Sequence, residues 1–114
     1  MKIKDINNAL QNFEDASRKH GEATENGDYN SGNKCYKNIV SAINFLKKEN
    51  AIKNLQNYFS NPNVGMRLWA ACYLLPMYEK DAIQTLTEIT KMGNIHSLTA
   101  ETTIEEWCKG NLKF

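Results

Sequence analysis

Apolar residues recur along this chain with the period of a helix, and nowhere alternate with polar ones over more than a few positions. That pattern argues for amphipathic helices and against strands. Ile3, Ile6, Leu10, Phe13 and Ser17 share one stripe and predict a first helix from about residue 4 to 24. Glu14–Arg18 and Asp15–Lys19 put acid before base at i,i+4 on its outer face, the favourable order. The polar stretch Glu22–Gly32, with Gly27 inside it and Gly21 before it, reads as a loop or a frayed region. Tyr36, Ile39, Val40, Ile43 and Leu46 predict a second helix over 33–48. Lys47 and Lys48 lie in its last turn, where cations suit the helix dipole. A third helix, carrying Ile52, Leu55 and Phe59, starts near Asn50 and stops at Ser60-Asn61-Pro62; no Gly or Pro marks its boundary with the second.

The fourth helix, Asn63 to about Leu75, has two apolar stripes: Val64, Leu68, Ala71, Cys72 and Leu75, and Met66, Ala70, Tyr73 and Met77. Apolar residues nearly all round make it the central, buried element, and Pro76 ends it. A fifth helix, about Lys80 to Met92, turns Ala82, Ile83, Leu86 and Ile89 inward and stops at Gly93. A sixth, about Leu98 to Lys109, takes Ser97 or Thr99 as its N-cap and Gly110 as its stop. Its inward stripe is Ala100, Thr103, Ile104 and Trp107. Short connections imply about three antiparallel helical pairs in one domain spanning 1–114. The fold class is all-α, and pairs repeating at roughly 30 residues stack into a superhelix whose concave face suits a protein partner.

Composition narrows the function. With 14 basic and 13 acidic residues the net charge is +1, little excess for the many phosphate contacts of a nucleic-acid binder. No apolar run approaches the ~20 residues that span a bilayer, so no membrane partner is expected. The opening MKIKDINNAL lacks the apolar core and cleavage site of a signal peptide. Three widely spaced cysteines favour reduced thiols, and together these features imply a cytoplasmic protein. There are fifteen asparagines, many at positions read as helix surface, where Asn is a weak helix former; this bias resembles the drift of AT-rich coding sequence.

Residues that could carry chemistry are few. His20 and His96 have no Cys or carboxylate at metal-ligand spacing, so neither a metal nor another cofactor is expected. Cys35, Cys72 and Cys108 recur about every 36 residues, one per helical pair, as small packing residues do. Nucleophile, phosphate-loop and zinc-protease motifs are missing, so the chain is not expected to be an enzyme. Trp69 and Trp107 read as packing residues whose indole N–H groups need acceptors, and Arg67 as a structural tie to a neighbouring turn. Acids gather at Glu22, Glu25 and Asp28, and again at Glu101, Glu105 and Glu106. Either cluster is a solvated face, with Glu105 opposite Lys109, or a patch that meets a basic surface. Tyr29 and Tyr36 lie near the first cluster and are favoured interface anchors.

One segment carries a resemblance. Asn61-Pro62-Asn63-Val64-Gly65-Met66-Arg67-Leu68-Trp69-Ala70-Ala71 resembles the turn and second helix of a HEAT-type repeat. With Asp81–Leu86 and the closing Glu106–Leu112, the stretch from Asn50 to Leu112 is similar to a small bacterial HEAT-like family of unknown function. The resemblance implies a HEAT-like superhelix. Small Asn-rich domains of this kind also resemble immunity proteins of contact-dependent growth-inhibition systems. It therefore implies a protein partner, a cognate toxin domain such as a nuclease, whose active surface is covered. The expected contacts are Glu22, Glu25, Asp28, Tyr29, Tyr36, Glu101, Glu105 and Glu106. The alternative is a HEAT-like scaffold or regulatory adaptor with a housekeeping partner.

Overall fold

The computed structural model describes residues 3–112 and is all-α, with no strand among the described residues. Helices α1 (Ile6–Asn26) and α2 (Tyr29–Lys48) are succeeded by a 3₁₀ segment (Ile52–Tyr58). Then come α3 (Val64–Leu74), α4 (Glu79–Thr90) and α5 (Ile95–Cys108). The chain forms two compact units, one ending at Asn54 and the other beginning at Leu55.

In the first unit the expected loop over Glu22–Gly32 is almost entirely helical. Only Gly27 and Asp28 separate α1 from α2. Gly27 takes φ 69°, the left-handed conformation that costs a glycine nothing. Its N–H donates to the Thr24 carbonyl (3.3 Å), and the Asp28 N–H donates to the Ala23 carbonyl (2.9 Å). This Schellman closure satisfies two carbonyls that the helix end would leave bare. Asp28 then caps α2 at once by accepting from the Ser31 N–H at 3.2 Å. Polarity is a poor guide to this turn, because two residues suffice to make it and the other polar ones lie on helix surface.

So tight a turn makes α1 and α2 an antiparallel hairpin. Gly32 lies against Ala23, and a narrow hollow is lined by Asn12, Ala16 and Lys19 from one helix and Cys35 and Asn38 from the other. Small residues dominate the buried face of α1: Ala9, Ala16, Ser17, Gly21 and Ala23 beside Phe13. Ile6 and Leu10, which the bulk-weighted stripe turned inward, are only half-buried. Ser17 is fully buried, with its hydroxyl satisfied by the Phe13 carbonyl at 2.6 Å. Arg18 pairs with Asp15 at i,i+3 (3.5 Å) and with Glu22 at i,i+4 (3.6 Å).

The boundary after α2, unmarked by Gly or Pro, is made by Asn50 at φ 55°. The Asn50 N–H donates to the Lys47 carbonyl and the Ala51 N–H to the Leu46 carbonyl, at 3.1 and 2.7 Å. Asparagine is the residue other than glycine that enters this region most readily. The expected third helix is a 3₁₀ segment rather than an α-helix, with Leu55 and Tyr58 buried.

In the second unit α3 is buried on nearly every side, as expected: Met66, Leu68, Ala70, Ala71, Cys72 and Leu74 are all interior. Asn63 caps it by accepting from the Met66 N–H at 3.1 Å. The core joins Leu68, Ala71, Cys72 and Leu75 to Ala82, Leu86 and Ile89 of α4 and Ala100 of α5. Arg67 ties this unit together: Nε donates to the Phe59 carbonyl (3.3 Å), and a terminal nitrogen meets Glu88 of α4 (3.2 Å). Helix α5 starts three residues earlier than expected. Asn94 is its N-cap, and Ser97 answers from the third position, its hydroxyl accepting from the Asn94 N–H at 3.2 Å. Gly110 (φ 76°) closes α5, with Gly110 N–H to Trp107 carbonyl and Asn111 N–H to Glu106 carbonyl.

Three measurements test this packing. Leu68→Ala should lower unfolding free energy by about 2–5 kcal/mol in urea titration, because a large side chain leaves a close-packed core; a loss under about 0.5 kcal/mol would contradict its position. Asn50→Ala should cost about 1 kcal/mol, whereas Asn50→Gly should be neutral or stabilising; equal effects would show that left-handed geometry does not matter there. The thiols should separate by accessibility. Burial pushes the Cys72 thiol up to about 12, only partly opposed by its contact with Thr103. At pH 8 a thiol reagent should label exposed Cys108 first and half-buried Cys35 more slowly, and reach Cys72 only on unfolding.

Candidate functional site

The residues expected to meet a partner fall into two groups, one in each unit. The first gathers at the α1–α2 turn. Glu22 and Glu25 project from the last turns of α1, and Asp28 sits in the turn itself. Glu22 is held by Arg18, and Asp28 by its capping role. The hydrogen bonds from the Ser31 side chain and backbone hold the Asp28 carboxyl below its usual range. A lowered carboxylate favours the folded state above its ordinary pKa, and that contribution fades as pH falls through the folded value. Tyr29 and Tyr36 stand seven residues apart on one face of α2 and are 83% and 47% exposed. The shallow groove beside the turn is not uniformly acidic, since Lys19 and Lys34 line it together with Glu22 and Asp28.

The second group lies on α5. Glu101 and Glu105 are exposed. Glu106 is half-buried, and its carboxylate accepts from the Asn111 side-chain amide at 2.7 Å, which helps lock the turn at Gly110. Lys109 reaches Glu105 through the backbone, N–H to carbonyl at 3.0 Å.

Sequence reasoning missed an apolar surface beside this second group. Met92 and Ile95 are each 47% exposed and Leu98 is 66% exposed. Helical spacing puts Ile95, Leu98, Thr102 and Glu105 on the outward face of α5, opposite buried His96 and Ala100. Hence α5 is apolar at the start of its outward face and acidic further along. The signal was available: Leu98 falls off the stripe of Ala100, Thr103, Ile104 and Trp107. It was hidden by starting the helix at Leu98, which turned Ile95 into a loop residue.

The tryptophans are half-buried, and each has an aromatic or polar partner. Trp69 stacks on Tyr73 with ring centroids 6.0 Å apart, and the Trp107 indole N–H donates to Glu79 at 2.7 Å. No group of three or more His, Cys, Asp or Glu that could hold a metal ion occurs among the described residues, and none of their helices is long and apolar enough to cross a membrane.

Compared with models of known protein families, with curated proteins and with solved structures, the chain gives no match. The HEAT-like resemblance of Asn50–Leu112 therefore rests on its own residues alone.

Proposed function

We propose that this chain is a protein-binding module that acts as an immunity protein, occupying the active surface of a cognate bacterial toxin in the cytoplasm. The observation that carries the reading is the outward face of α5, where exposed Ile95 and Leu98 precede Glu101 and Glu105. Apolar side chains left in water on a helix that also has an apolar buried face are costly unless a partner covers them. Carboxylates at the border of such a patch speed encounter with a basic surface, such as the cleft of a nuclease, and reject acidic ones. Exposed Tyr29 and Tyr36 offer further anchoring area on the first unit. Inhibition by coverage needs complementarity and no catalytic group, which suits a chain without a recognisable catalytic motif. The HEAT-like resemblance and its superhelix belong to the same proposal.

The test is co-expression with the product of the adjacent gene, then co-purification and a growth assay. A stoichiometric complex that protects the cell without turnover supports the reading. Leu98→Asp should weaken that complex by at least about tenfold, or 1.4 kcal/mol, without lowering the unfolding midpoint. Glu101→Lys combined with Glu105→Lys should mainly slow association. Absence of a complex and of protection, with both proteins folded, rejects the proposal.

A further inference from the structure

The start of α4 and the end of α5 enclose an open groove of about 660 Å³. Its walls include Glu79 and Ile83 from α4, Trp107 from α5, and Leu112 beyond α5. The bond from the Trp107 indole N–H to Glu79 Oε2, at 2.7 Å, sets a carboxylate at the edge of an aromatic ring. Glu79 is the first residue of α4, and Tyr78 before it supplies no side-chain cap, so the carboxylate sits at the positive end of the helix. An ionised carboxylate has about four acceptor positions. The indole takes one, and Glu79 has no other hydrogen-bond or ion-pair partner among the described residues. Lys80 also lines the groove but forms no ion pair with Glu79.

These features ask for one kind of ligand. The ring face favours a cation, most of all a weakly hydrated planar one. The carboxylate favours a forked donor that can use two acceptor positions at once. Ile83 and Leu112 favour an alkyl stem. We propose that this groove receives an arginine side chain of a protein partner, with the guanidinium over Trp107, its N–H groups on Glu79, and its methylenes along the apolar wall. A lysine ammonium would keep more of its hydration and make a point contact in place of the fork. The source of the arginine rests on the protein-binding reading above; the chemistry of the groove does not.

The probe is Nα-acetyl-arginine methylamide, with the citrulline analogue as its neutral isostere. Binding is read from the Trp107 indole N–H resonance, with the Trp69 resonance as internal reference. The arginine probe should shift Trp107 saturably, with a dissociation constant on the order of millimolar, as suits a single side chain. The citrulline probe should bind at least about fivefold more weakly. Glu79→Gln keeps an oxygen that can accept from the indole but removes the charge. It should abolish the arginine preference while the variant stays folded, its unfolding midpoint lowered only modestly by loss of the charge at the helix start. No saturable shift with arginine, equal shifts with citrulline, or unchanged preference in a folded Glu79→Gln variant would each overturn the proposal. Arginine binding without a toxin complex would uphold the groove and reject the immunity reading, and a toxin complex without arginine binding would do the reverse.

Discussion

The carbonyls at the end of a helix have no partner within it and must find donors or lie bare. This chain meets that constraint in one way at three places, with Gly27, Asn50 and Gly110 in the left-handed region and the next residue's N–H turned back to the helix. The closure at Gly27 folds α2 back against α1, and that at Asn50 breaks α2 from the 3₁₀ segment. The closure at Gly110 brings the chain past Trp107 to Leu112, which lines the groove. Registry, core and grooves depend on where those reversals fall.

Much of this was legible. Asn61-Pro62-Asn63 announces the start of α3, and apolar residues all round it require the centre of a unit. Arg67 has the structural role expected, tying Phe59 to Glu88. Other features were hidden for identifiable reasons. Helix faces were weighed by side-chain bulk, which favoured Ile6 and Leu10, whereas the α1–α2 contact is built from Ala9, Ala16, Gly21 and Ala23. Where a helix can approach closely, small residues mark the interface better than large ones. The asparagines read as surface drift include working positions. Asn63 and Asn94 are N-caps and Asn50 is a stop, roles suited to a short amide that bonds to nearby backbone.

The six acids singled out from the sequence do unlike things once folded. Asp28 caps a helix, Glu22 answers Arg18, and Glu106 holds the turn through Asn111. Glu101 and Glu105 face outward on α5. Composition counts carboxylates alike, but a group already committed to a neighbour within the fold has less left for a visitor. That is why Glu79, absent from both clusters, offers a better defined acceptor than most of their members.

The outward face of α5 has a bearing on descent. Leu98, Thr102 and Glu105 lie opposite the buried side chains, so exchanges there leave the packing of Ala100 against Leu86 and Ile89 unaltered. Lineages can rewrite that surface quickly while the scaffold stays still. The buried alanines of α1 have less licence, because a larger side chain there must find room between two packed helices. Among natural variants, diversity should therefore gather on the outer turns of α5, and silence on the alanines of α1.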